Sequence, residues 1–217
     1  MQSSQKTNPP RTRKYDNKFR LQKQGELKSR IAATTAELHA RKGAAETSYT
    51  DIARQAGVSL PTVYSHFPDE DELFRGCTTH VADHAPTLPV NEILDASSLP
   101  TAIELLVDAM EQQHIYYEPW SSRRMEGYVT FLAEMSVQVR EQQSTTIEKI
   151  MRHFLGPGKR HSMIAGCETL LSFDCWHRLV RGHGLPRSQA RQILIQSLQS
   201  ILEPQPGPLS SLKPRRK

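Results

Sequence analysis

Residues 48–67 read S-Y-T-D-I-A-R-Q-A-G-V-S-L-P-T-V-Y-S-H-F, and they hold two helix starts and one glycine stop. Ser48 followed by Asp51 has capping-box spacing, in which the serine oxygen takes an orphan backbone N–H at a helix start. Ile52, Ala53 and Ala56 then form a small apolar stripe on one helix face. Gly57 suits the left-handed conformation that closes such a helix. Ser59 can cap a second helix, and Pro61 fits its first turn, where a missing N–H costs nothing. Helix, short turn, helix is the plan of a DNA-reading helix-turn-helix, whose second helix enters the major groove.

Working outward, the helix before this stretch is expected from about Gly25 to Arg41, because Leu27, Ile31, Thr35 and Leu38 recur every three or four residues. Gly43 stops it. Helix two is expected over about Tyr49–Ala56 and helix three over about Leu60–His66. Pro68 and the acids Asp69, Glu70, Asp71 and Glu72 open a fourth helix, where a first-turn acid suits the macrodipole.

The stretch D-I-A-R-Q-A-G-V-S-L-P-T-V-Y-S-H-F resembles the DNA-binding domain of the TetR family of bacterial transcriptional regulators. The resemblance is strong from about Ile31 to Leu73. It implies an all-α protein of about nine helices: an N-terminal three-helix domain carrying the helix-turn-helix, then a larger helical domain for ligand binding and dimerisation. The expected divisions are a disordered basic arm (1–24), the DNA-binding domain (25–68), the effector-binding and dimerisation domain (69–203) and a disordered basic tail (204–217). The implied function is a DNA-binding repressor that holds a palindromic operator as a dimer and is released by a small molecule.

DNA contacts are expected from Lys28, from Ser48, Tyr49 and Thr50 at the start of helix two, and from Ser59, Leu60, Pro61, Thr62, Tyr64 and His66 on the recognition helix. Leu60, Pro61 and the Thr62 methyl can meet thymine methyls, but no Arg or Lys stands there to read guanine. Tyr64 and His66 carry over from the family as phosphate contacts. The family's usual Lys is replaced by Glu70 and its usual Thr by Tyr49. An acid at Glu70 repels phosphate.

Charge placement bears on this. The chain carries a net +5, but residues 1–30 alone hold nine basic and two acidic residues. Their Arg11, Arg13, Lys14, Lys18 and Arg20 are expected to supply phosphate contacts that the recognition helix lacks. The alternative reading follows: a ligand-independent, nucleoid-type DNA-binding protein relying on that arm. Between Asp69 and Glu118 stand eleven acids and one base, Arg75, so that region is expected to face away from DNA.

Beyond helix four, helices are expected over about 100–118 (stopped by Pro119), 125–135, 137–155, 160–181 and 188–203. The last two are expected to pair with their copies in a second subunit. Large apolar and aromatic residues point to an effector pocket lined by Met110, His114, Tyr117, Trp120, Phe131, Met135, Phe154, Phe173 and Trp176. Cys77, His80 and His84 share a helix face but span about 10 Å, more than one metal ion bridges. No metal or cofactor is expected. There is no P-loop, HExxH or nucleophile elbow, so an enzyme is not expected. Three widely spaced cysteines and a polar N-terminus point to a cytoplasmic protein without a membrane partner.

Overall fold

The computed structural model describes residues 17–121, 129–158 and 161–202, with side chains described from 18, through 121, and from 141 onward within those spans. Ten α-helices and no strands occur among the described residues: α1 Asn17–Lys42, α2 Tyr49–Ala56, α3 Leu60–His66, α4 Glu70–Asp83, α5 Val90–Leu94, α6 Leu99–Ser121, α7 Val129–Leu155, α8 His161–Leu170, α9 Phe173–His177 and α10 Arg187–Leu202. A π-helical turn, Arg178–Gly182, continues α9. Contacts divide the chain into two units, one of residues up to His39 with Glu46–Ala82, the other of Ala40–Ala45 with the residues from Asp83 onward.

The first unit packs α1 to α4 around Ile31, Ala32, Leu38, Ile52, Ala53, Ala56, Val63, Phe67 and Leu73. Its local signals work as the sequence predicts. Ser48 Oγ accepts from Asp51 N at 3.1 Å, and Asp51 accepts in return from Ser48 N at 3.4 Å. Gly57 takes φ +67° and closes α2. Ser59 Oγ accepts from Thr62 N at 3.3 Å, and Pro61 sits in the first turn of α3. Gly76 lets α4 close on the end of α3, since a Cβ there would overlap the Phe67 ring.

Helix α1 begins at Asn17, eight residues before the expected start, so residues 17–24 are helical where an irregular arm was expected. The segment has no Gly or Pro before Gly25. Its turns are tied by Gln22 to Glu26 at 2.9 Å and by the Lys23 ammonium 4.7 Å from the Phe19 ring centroid. Residues 1–16 lie outside the described residues, and with them Arg11, Arg13 and Lys14. The expected tail, 204–217, also lies outside them.

The second unit packs α5 to α10 around Ile93, Val107, Met110, Ile150, Met151, Leu171, Leu194 and Leu198, among others. Arg191 of α10 forks onto Asp108 of α6, with Nη2 donating to Oδ2 at 3.0 Å. Arg181 likewise forks onto Glu118, at 2.5 and 2.8 Å. Among the described residues the α-helices number ten rather than the expected nine, for identifiable reasons. Helix α6 runs through Pro119 to Ser121, although that proline has no N–H to bond the carbonyl of residue 115. The expected helices 125–135 and 137–155 meet as one from Val129, since no Gly or Pro separates them. The expected helix 160–181 breaks after Leu170: the Ser172 hydroxyl accepts from Cys175 N at 3.2 Å and starts α9. The short α5 was not expected; Pro89 precedes it and its one buried residue is Ile93.

Candidate DNA-binding surface

The exposed face of the first unit is built by the two capped helices. On α3, Val63 points inward and is fully buried, which turns Leu60, Pro61, Tyr64 and Ser65 outward. Leu60 is 37% exposed and Tyr64 47%. Thr62 and His66 are half-buried. The Thr62 hydroxyl lies 2.7 Å from Ser59 Oγ, so these two expected base readers are paired with each other.

The start of α2 lies beside it. Thr50 is exposed. Ser48 is exposed, but its hydroxyl is engaged as the cap and donates to Asp51 Oδ2 at 2.9 Å. Tyr49 stacks flat on Tyr64, with ring centroids 4.5 Å apart and planes 9° apart. Its hydroxyl is enclosed and has no hydrogen-bond partner. Burial first, and then the negative field of Glu70 with smaller contributions from Tyr64, Asp69 and Glu72, pushes this phenol up to about 12, so it stays protonated. Lys28 on α1 is exposed and sits 5.1 Å from the Phe67 ring centroid. The structure thus brings Lys28, Thr50, Leu60, Pro61 and Tyr64 onto one unit as outward groups, and gives Ser48 and Ser59 capping roles.

Cys77 and His80 lie on α4, which ends at Asp83, so His84 falls outside the helix whose face the three were expected to share. Cys77 Sγ donates to Phe74 O at 3.1 Å and lies 3.6 Å from Nδ1 of buried His39. Burial drives the two apart: the thiol is raised to about 12 and the imidazole lowered to about 4, so both are neutral. Among the described residues no group of three metal-binding side chains converges.

In the second unit, the expected effector residues fall into separate groups. His114 is buried, with Nε2 3.0 Å from the carbonyl of Leu171, the group freed where α8 ends. Around it stand Phe173, edge-on at 5.8 Å, and Trp176 at 5.6 Å. The Trp176 indole N–H reaches Glu111 at 3.5 Å. Desolvation lowers the His114 imidazole to about 4, against the opposing effect of the Leu171 carbonyl. Tyr117 and Trp120 are half-buried and both touch the Tyr116 ring. Met110 is inside the core, and Phe154 packs on its edge. The side chains of Phe131 and Met135 lie outside the described residues. Among the described residues, the enclosed apolar void measures about 20 Å³, room for one water, and none of the nine expected residues lines it. A second feature had not been singled out: an open groove of small residues between α8 and α10, lined by Ala165, Gly166, Thr169, Leu170, Gln196, Ser197, Ser200 and Ile201. Its sequence signal is the recurrence of small residues four apart, visible in Ala165 and Thr169.

A capped helix, a glycine turn and a second helix with an outward apolar face define an α-helical DNA-binding regulator of the helix-turn-helix class. Residues 31–77 match the family described as bacterial regulatory proteins, tetR family. A protein of Streptomyces coelicolor A3(2), provisionally assigned as a transcriptional regulator, shares the fold with TM-score 0.50 and 20% identity, over 82% of this chain and 99% of that one. A transcriptional regulator of a Rhodococcus species (Rha1) shares it with TM-score 0.58 and 19% identity, over 81% and 95%. No curated protein matches the chain. No described helix is long and apolar enough to cross a membrane.

Proposed function

We propose that this protein is a dimeric repressor that reads a palindromic operator through α3 and leaves it when a small apolar molecule binds the second unit. The observation that carries the reading is the outward placement of Leu60, Pro61 and Tyr64 on a helix fixed by the Ser59 cap and the Gly57 turn. These side chains offer methyl and ring contacts, so thymine-rich half-sites are expected. Exposed Lys18, Arg20, Lys23, Lys28 and Arg30 along α1 supply cationic surface for phosphates. Its site of action would be the cytoplasm, which suits three cysteines that form no disulfide.

Dimerisation is assigned to the groove between α8 and α10, whose small residues allow a second helix pair to approach closely. The exposed Ile193 on α10 adds apolar area. The effector is assigned to the surroundings of His114, Phe173 and Trp176, where aromatic faces meet a few polar tips. A ligand that binds there more tightly in a conformer with less affinity for DNA shifts the population away from the DNA-binding state.

The test is a pair of substitutions on α3, Leu60→Ala with Thr62→Ala. Losing contacts worth about 1–3 kcal/mol of base discrimination should lower the ratio of specific to random-DNA affinity by about tenfold or more in each half-site. Affinity for random duplex, measured by fluorescence anisotropy at one salt concentration, should stay within about twofold. An unchanged specificity ratio would remove α3 from the reading.

A further inference from the structure

The orphan hydroxyl of Tyr49 stands in a place where hydroxyls are expected to be useful, at the first residue of a helix beside the DNA-facing surface. Buried and without a partner, it lies in the negative field of Glu70, Asp69 and Glu72, which is a poor place from which to hold a phosphate. The ring is in a different situation. It packs against the core of the first unit on one side and lies flat on Tyr64 on the other. Tyr64 itself is about half exposed on the recognition helix, where a tyrosine without such a neighbour samples several rotamers.

We propose that Tyr49 is a positioning residue for DNA binding: its ring holds Tyr64 in one rotamer before DNA arrives, and its hydroxyl makes no contact with DNA. The proposal rests on the reading that α3 meets DNA, and it deepens that reading. The benefit is preorganisation. Ordering one rotamer-rich side chain at an interface costs about 0.5–1.5 kcal/mol, which corresponds to about 2- to 12-fold in affinity. A tyrosine already held by a stacked neighbour has met that cost in the free protein.

The experiment is a double-mutant cycle in the full chain, read as affinity for a duplex selected by the wild-type protein. Tyr49→Ala should weaken binding about 2- to 12-fold in the wild-type background and by less than about 1.5-fold when Tyr64 is already Ala. The conservative Tyr49→Phe keeps the ring and should restore wild-type affinity, with a Tm at least as high because a buried unpaired hydroxyl is gone. Tyr49→Phe binding as weakly as Tyr49→Ala would show that the hydroxyl touches DNA, and would overturn the proposal. So would equal losses from Tyr49→Ala in the two backgrounds, which would make its effect one of general stability. If the wild-type protein selects no duplex at all, the DNA-reading assignment falls and takes this proposal with it; an additive cycle on a duplex that binds well sinks this proposal alone.

Discussion

Thr169→Glu combined with Ser200→Glu is expected to give a folded monomer whose operator affinity is lower by about two orders of magnitude or more. Both residues line the open groove between α8 and α10, and both are exposed. Surface substitutions of this kind usually change the stability of the subunit by less than about 0.5 kcal/mol. In a two-fold contact every residue meets the same patch of its copy, so two added carboxylates become four facing charges in one closed space. Like-charge juxtaposition of this kind costs several kcal/mol at an interface. The operator then loses its second half-site contact, which in the dimer is intramolecular and enhanced about 10²- to 10⁴-fold by effective concentration. Sedimentation equilibrium and anisotropy titration on the same sample check both halves. A dimer that persists with both glutamates places the interface elsewhere.

Acidification from pH 7.5 to 4.5 is expected to remove roughly 2–3 kcal/mol of stability through each of two buried imidazoles, His39 in the first unit and His114 in the second. Each has a folded-state value of about 4 against 6.5 when unfolded, because burial disfavours the charged ring. Folding with a depressed value means that the unfolded chain binds the proton first. The stability is therefore complete above pH 6.5 and is lost as pH falls from 6.5 towards 4. Urea midpoints across that range measure it. His114→Gln keeps a donor for the Leu171 carbonyl and has no titration there, so its second unit should lose less on acidification than the wild type. The same acid loss in His114→Gln would contradict the assignment.

The helix-turn-helix was legible because its determinants are local and agree with one another. Ser48, Gly57, Ser59 and Pro61 each act within four residues of themselves, so spacing alone predicts what the backbone does. The ends of α1 and α6 were less legible. Basic residues near Pro9 and Pro10 read as an irregular arm, yet residues from 17 onward form helix continuously with the apolar half of α1. Pro119 read as a stop, yet α6 continues through it although the proline removes a hydrogen bond to residue 115, so a local breaker did not decide the helix. The Leu171–Ser172 break was written locally in a serine cap, though an apolar run across it reads as one helix.

Sites that depend on distant residues were the least legible. Tyr49 and Tyr64 are 15 positions apart in the sequence, and nothing in their spacing predicts stacked rings. His114 meets Leu171 across 57 positions. An apolar stripe looks the same whether it faces a core, a ligand or a second subunit. This is why Met110 could be named as a pocket residue and is found among the packed core. The groove of small residues between α8 and α10 shows the opposite limit, since small side chains leave little hydrophobic pattern to read.

The central claim is that this chain reads a two-fold symmetric DNA site through α3. Selection of bound duplexes from a random pool tests it directly, because it reports sequence preference, symmetry and spacing together. An inverted repeat is expected, with thymine-rich half-sites whose centres lie about one helical turn, roughly 34 Å, or a multiple of it apart. A pool that returns no consensus, or one without inverted symmetry, would contradict this reading and favour the ligand-independent binder that relies on the basic N-terminal arm.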